Sequence, residues 1–266
     1  MYETLEIKRE GQVTWLTFNR PHVLNAINSR MIEELRDFLQ SLPGDAGTRV
    51  VVMRGAGRAF CAGLDLREQG DTGPEAMFQV ASGMRFQRHV SEIPIMMRRA
   101  PQPIIAAVHG VACGGGFSLA LAADVRLAGE SARMNAAYVR LGLTGTDMGS
   151  SYFLPRMVGM SVASELLLTG RFIDAKRALA TGLVSEVVPD SGLENAARKL
   201  ADDMLFTSPL GLRLTKECLV ANAGAASLEQ AGALEDRNQV LCTSRPDFQE
   251  GIRAFQEKRR PRYSEQ

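Results

Sequence analysis

Histidine is scarce in this chain: His22, His89 and His109 are the only three among 266 residues. Cysteine is sparse too, and Cys61, Cys113, Cys218 and Cys242 are far apart with no C-x-x-C pair. Neither a zinc site nor a disulfide framework is indicated, and the four read as reduced, mostly buried thiols. An excess of charge of either sign is also missing, with 31 Lys and Arg against 30 Asp and Glu. General nucleic-acid or membrane surfaces therefore have no support, and any polyanionic partner has to bind locally. The opening MYETLEIKRE has no basic n-region and no apolar h-region, and no other stretch resembles a membrane span, so the expectation is a soluble cytoplasmic protein. Internal repeats and low-complexity linkers are absent as well.

One long uncharged run does stand out, between Arg99 and Asp124. Gly110, Gly114, Gly115 and Gly116 in its middle would weaken any single helix, so it divides into three parts. Residues 104–108 read as a buried strand, 110–116 as a turn and 117–123 as a helix. A strand feeding a glycine turn that opens a helix presents free backbone N–H groups, a ready site for an anion or oxyanion.

Around this run the chain alternates strands and helices. Residues 4–8 and 13–18 have hairpin alternation about Glu10-Gly11. Ser29 can cap a helix over 30–42, whose Ile32, Leu35, Phe38 and Leu39 share a face. Residues 48–54 (TRVVVMR) form the near-continuous apolar run of a parallel strand covered on both faces. A long glycine-rich loop at 55–73 precedes a helix over 75–97, and loops of that length are usually functional. A strand at 125–128, a turn-rich region at 138–151 and a short final strand at 183–188 follow. Helical patterns dominate from 161, which points to an α/β protein with a helical C-terminal region.

Three familiar motifs fail. Gly55-Ala-Gly57-Arg-Ala-Phe60 begins like a dinucleotide fingerprint, but Phe60 stands where the third glycine belongs. Residues 113–118 lack the Lys-Ser/Thr pair of a P-loop. Gly116-Phe-Ser118-Leu-Ala120 resembles a nucleophile elbow, yet an α/β-hydrolase needs its histidine after the serine, and all three histidines precede Ser118. What remains is two loops, 55–65 and 109–117, each following a buried parallel strand and hence at one edge of the sheet. Each could aim one backbone N–H at a single carbonyl oxygen, worth about 3 to 4 kcal/mol per donor. The alternative is that these glycines only permit close helix–strand packing.

The loop residues resemble the crotonase family, the enoyl-CoA hydratase/isomerase superfamily, over nearly the whole chain. Asn19, Pro21, Asn25, Ala26 and Ile27 match N-x-P-x-x-x-N-A-[LI]; Gly57, Phe60, Ala62, Gly63 and Asp65 match G-x-x-F-x-A-G-x-D; Gly110 and Gly114 to Gly116 match G-x-x-x-G-G-G. Asp124, Leu154 to Gly159, Leu168 to Gly170, Gly182 to Val184, Val188-Pro189 and Glu250 to Arg259 continue in order. The resemblance implies a crotonase-like spiral of ββα units over 1–195, a helical oligomerisation region over 196–266, and a homo-oligomer, a trimer or dimer of trimers. It implies an acyl-CoA thioester substrate and no cofactor, coenzyme A being part of the substrate. Carried over by position, the oxyanion hole is the N–H groups of Leu64 and Gly115. Ala26, Ala62, Asp65 and Leu66 line the coenzyme A path, and Phe255 and Lys258 meet coenzyme A from the C-terminal region of the same or a neighbouring subunit. The other reading of Lys258 with Arg259 and Arg260 is a solvated basic tail. Residues 66–84 are expected to shape the acyl pocket.

The departures bear on chemistry. Where hydratases of this family carry two glutamates, this chain has Ser118 and Tyr138, and neither is a carboxylate base near neutral pH. Members of the family that shift double bonds or hydrolyse carbon–carbon bonds often use an acid within the loop that here holds Asp147, which the resemblance places there with a one-residue gap. Asp147 is the candidate acid/base, or a cap of the helix beginning near residue 148 or 149, or both. Tyr138 is more readily an aromatic wall of the acyl pocket than a proton donor. Cys61 and Cys113 flank the loops without a histidine partner, so neither is made a nucleophile. Isomerisation or atypical hydration is therefore expected. The other possibilities are an acyl-CoA-binding protein of the same fold without proton transfer and, more distantly, a nicotinamide-dependent enzyme using Gly55 and Gly57.

Overall fold

The first two strands, β1 (Leu5–Glu10) and β2 (Val13–Phe18), form the expected antiparallel hairpin, with Leu5 opposite Phe18 and Glu10 opposite Val13. The computed structural model describes residues 2–68 and 79–264. Helix α1 (Ser29–Ser41) follows a turn-rich loop, and its cap is Asn28, not Ser29 as the sequence suggested. The Asn28 backbone is extended and its Oδ1 accepts the Met31 N–H at 3.0 Å, which an asparagine one residue earlier can do equally well.

Strand β3 (Val50–Gly55) pairs in parallel with β2, Trp15 facing Val52, and with β4 (Ile104–Val108), Val52 facing Ile105. Both faces of β3 are covered, as its apolar run requires. Val51 and Met53 join the main core with Phe18, Phe60 and the buried face of α1, while Val50 and Val52 join Trp15, Ile105 and Leu127 under a later helix. Helix α2 is described over Val80–Arg99, two residues beyond the expected end; the start expected at residue 75 and most of the 66–84 loop fall on 69–78, outside the described residues.

The central stretch departs from its reading in one respect. Residues 110–116 are not only a turn: β5 (Val111–Cys113) lies within them, and α3 opens at Gly115 (Gly115–Ala122). The extra strand pairs with β7 (Arg133–Asn135), which lies beyond β6 (Val125–Gly129), in a second sheet completed by a two-residue strand at Ile173–Asp174. Three-residue strands carry too few side chains to show a period, so tertiary pairing defines them. Helix α4 (Ser150–Thr169) starts well before residue 161 and breaks at Gly159, whose φ of 76° no helix accommodates. Then come β8 (Ile173–Asp174), α5 (Ala175–Ala180), β9 (Glu186–Val188) and α6 (Leu193–Met204). The main sheet has the order β1-β2-β3-β4-β6-β9, parallel from β2 onward.

The 195/196 boundary falls inside α6, whose Leu193, Ala197 and Ala201 pack on the sheet with Trp15 and Ile105. Helices α7 (Pro209–Asn222), α8 (Leu228–Thr243) and α9 (Pro246–Gln256) complete the helical region. Its anchor is Lys216, buried on α7, which donates to the Met97 and Gln102 carbonyls at 2.8 Å each and pairs with Asp124 at 2.9 Å. Asp124 in turn pairs with Arg98 at 2.8 Å and accepts the Ile104 N–H at 2.8 Å, so the start of β4, the end of α2 and α7 meet on one carboxylate. Lys216→Met should destabilise the fold by about 3 kcal/mol, read from urea denaturation, because two buried carbonyls lose their donor. A loss below about 1 kcal/mol would show the cation to be dispensable.

Of the four cysteines only Cys61 is buried; the other three are half-buried, a correction to the expectation of mostly buried thiols. Among the described residues no helix is long and apolar enough to cross a membrane.

Candidate active site

Three loops are laced together at the edge where the parallel strands end. Leu24 and Asn25 both adopt positive φ, and the fully buried Asn25 donates through Nδ2 to the Ala56 and Ala59 carbonyls at 2.9 and 2.8 Å. The Ile27 N–H donates to Gly63 O at 2.7 Å, and Asp65 N–H returns to Ile27 O at 2.8 Å. Cys61 N–H donates to Val111 O at 3.1 Å, and Cys113 N–H to Cys61 O at 2.9 Å. Glycine is needed where the strands pass: a Cβ on Gly63, whose φ is 94°, would lie 2.7 Å from Cys113 O, and one on Gly116 would lie 2.2 Å from Cys61 O. The close-packing reading of the glycines is thus correct, and it is compatible with the other one. Among the described residues, the Leu64 and Gly115 N–H groups have no protein acceptor, and Gly115 begins α3, where a helix leaves N–H groups free. Side chains of Ile27 and Met148 border Gly115: a Cβ there would be 3.1 Å from Ile27 Cδ1 and 3.4 Å from Met148 Sδ.

Asp65 is buried, paired with Arg20 Nη1 at 2.9 Å, and Arg20 also donates to Ala26 O at 2.6 Å. That pair ties the loop of Ala26 to the loop of Ala62 and Leu66; Ala26 is buried, Ala62 half-buried and Leu66 exposed. Arg20 was passed over in the sequence because only the folded loops bring it to Asp65, 45 positions away.

Ser118 and Tyr138 are brought together with Asp147, though not as three reactive groups. Ser118, completely buried on α3, donates through Oγ to the Asp147 carbonyl at 3.0 Å. The Tyr138 hydroxyl lies 3.5 Å from Ser118 Oγ and donates to Ser150 Oγ at 2.9 Å. Ser150 Oγ also accepts the Asp147 N–H at 3.0 Å. Burial raises the Tyr138 pKa, so the phenol stays neutral. The hydroxyls thus hold both backbone groups of Asp147, and Ser150 is a member the sequence reading missed.

The Asp147 carboxylate does not cap α4, whose cap position is Gly149 without a side-chain bond. Instead Oδ1 accepts the Met148 N–H at 2.7 Å and the Gln87 amide of α2. Half-buried, the group has its pKa raised, with burial outweighing those two donors. Met148 and Gly149 both have positive φ, an unusual pair that turns the chain sharply after the carboxylate. The Cys61 and Cys113 thiols are pushed up to about 12 and about 11 by burial, which leaves both protonated and unreactive.

Phe255 and Lys258 are not brought to these loops within one chain. Phe255 is 86% exposed on α9, and Lys258 follows that helix. Arg260, two residues on, stacks on Phe206 at 4.4 Å. The neighbouring Thr207 carbonyl is held by Arg49, just before β3 begins, so this region lies at the opposite edge of the sheet.

The fold and loops correspond to known proteins throughout their length. The family model for enoyl-CoA hydratase/isomerase matches residues 8–266. The chain belongs to that family, the crotonase superfamily. A protein of Mycobacterium tuberculosis described as a probable enoyl-CoA hydratase is 38% identical over 258 residues, 96% of this chain and 90% of its own. The 1,2-epoxyphenylacetyl-CoA isomerase of Escherichia coli is 35% identical over 257 residues, 96% of both chains. The crystal structure of an enoyl-CoA hydratase from Bacillus anthracis superposes with a TM-score of 0.92 at 33% identity, covering 99% of this chain and 100% of that one. This crotonase-family enzyme therefore superposes on a solved hydratase over its whole length and matches an isomerase in sequence over nearly all of it.

Proposed function

We propose that the enzyme isomerises an enoyl-CoA thioester, with Asp147 as the acid/base and the Leu64 and Gly115 N–H groups as the oxyanion hole. The observation that carries this reading is the hydroxyl network: of the two residues in the places of the hydratase glutamates, Ser118 holds the Asp147 carbonyl and Tyr138 donates to Ser150, which accepts the Asp147 N–H, and the Asp147 carboxylate is left as the proton carrier. In a 3-enoyl-CoA, the Asp147 carboxylate removes a proton from C2. The electron pair moves into the thioester, forming a dienolate whose oxygen accepts the two N–H groups. The protonated Asp147 returns the proton to C4, and the double bond moves into conjugation. Water and redox equivalents do not enter the balance, so no cofactor is needed beyond the coenzyme A of the substrate. A pKa raised by burial suits a group that must both take and return a proton. Ala26, Ala62 and Leu66 line the coenzyme A path, Asp65 braces it, and Phe255 and Lys258 complete the site of a neighbouring copy in a trimer or dimer of trimers.

The test is absorbance of the conjugated enoyl thioester. Incubation with trans-3-hexenoyl-CoA should raise it without added cofactor, whereas trans-2-hexenoyl-CoA should lose it slowly or not at all. Rapid loss with the 2-enoyl substrate would establish hydration instead, and thermal stabilisation by both thioesters without turnover would establish a binding protein.

A further inference from the structure

We propose that Gln87 is a positioning residue that decides which oxygen of Asp147 carries the proton; this rests on the acid/base reading of Asp147. The carboxylate is held unequally. Oδ1 accepts two N–H donors, from Met148 and from Gln87 Nε2, while Oδ2 has no hydrogen bond among the described residues. A proton placed on Oδ1 would face two N–H groups aimed at the same oxygen, so the acid form keeps its proton on Oδ2. Oδ1 remains an acceptor in both states, and Oδ2 is the oxygen that takes the proton from one carbon and returns it to the next.

Gln87 suits that task because it is neutral. An Arg or Lys in its place would favour the carboxylate, typically lowering its pKa by about 1 to 3 units and weakening it as a base. While Asp147 is ionised the amide is held this way round, because reversal would aim its carbonyl at the carboxylate; Ser91 Oγ, one turn further along α2, accepts from the same Nε2 at 3.2 Å. Among the described residues, the other titratable group against Asp147 is Tyr138, a neutral phenol. Gln87 comes from α2, whereas Ser118 and Ser150 hold the Asp147 backbone from α3 and α4. Gln87 therefore acts on the carboxylate and the serines on the main chain.

The experiment compares wild-type protein with Gln87→Leu, which removes the donor, and Gln87→Glu, which keeps the shape. The readouts are the pH dependence of trans-3-hexenoyl-CoA turnover and a carbon-13 NMR titration of labelled aspartate carboxyls, with the Asp147 signal assigned from Asp147→Asn. In Gln87→Leu, kcat should fall about 10-fold, the effect of one charge-assisted hydrogen bond, with KM little changed. The acid limb of the profile and the NMR midpoint should both move to higher pH, because the charged form has lost a donor, and further in Gln87→Glu, where a second carboxyl faces the first. An unmoved limb and midpoint in both variants would overturn the role of Gln87 while leaving the Asp147 reading intact. Wild-type turnover in Asp147→Asn would overturn both, and the NMR titration would still report whether the contact exists.

Discussion

Asp147→Asn should lower turnover of trans-3-hexenoyl-CoA by about 1,000-fold, within the range assigned to a general acid–base group. Asparagine keeps an oxygen for the Met148 N–H and the Gln87 amide, and its backbone remains held by Ser118 and Ser150, so the loop should not rearrange. Stabilisation of the protein by a saturated acyl-CoA should be retained, which separates lost chemistry from lost binding. The same variant should be more heat-stable than wild type at pH 7. Asp147 has a folded pKa above the ordinary aspartate value, so its favourable contribution is complete below that value and is lost as pH rises through the folded pKa. The advantage of asparagine should accordingly shrink as the pH of the melt is lowered toward 4. Wild-type turnover would contradict the acid/base role of Asp147, and equal melting temperatures at every pH would contradict the placement of this carboxylate in a desolvated site.

Gly115→Pro should reduce kcat by about 100- to 1,000-fold, the usual effect of losing one oxyanion donor. Proline is accepted at the first position of a helix, where the missing N–H has no intrahelical partner, and Gly115 is the first residue of α3. The backbone can therefore survive while the donor disappears. The ring would sit close to Ile27 Cδ1 and Met148 Sδ, both at the ends of flexible side chains. Circular dichroism and a thermal melt should show a folded protein, and steady-state kinetics should show the loss. Full activity in folded Gly115→Pro would remove this N–H from the mechanism.

Local pattern was enough for the hairpin, for α1, for the parallel strands β3 and β4 and for the glycine turn that opens α3, since each is written in side-chain period or in glycine position. The three-residue strands β5 and β7 were not legible, because their pairing depends on partners supplied by the rest of the chain. The cap of α1 slipped by one residue because Asn28 and Ser29 are both good caps and only the backbone decides between them.

The site divides in the same way. The ordered motifs of the sequence determined the family, and the sequence itself shows no glutamate at positions 118 and 138. The family resemblance also carried a donor role onto Gly115, and the fold begins α3 at that residue, where a helix leaves its first N–H groups without an intrahelical partner. Only the tertiary structure decided what replaced the glutamates. Ser118, Tyr138 and Ser150 form a network with Asp147 by hydrogen bonds that span 3 to 29 positions, and Gln87 reaches Asp147 across 60. A hydroxyl or an amide has no preferred partner in sequence; burial makes it find one in space, and the fold placed Asp147 there.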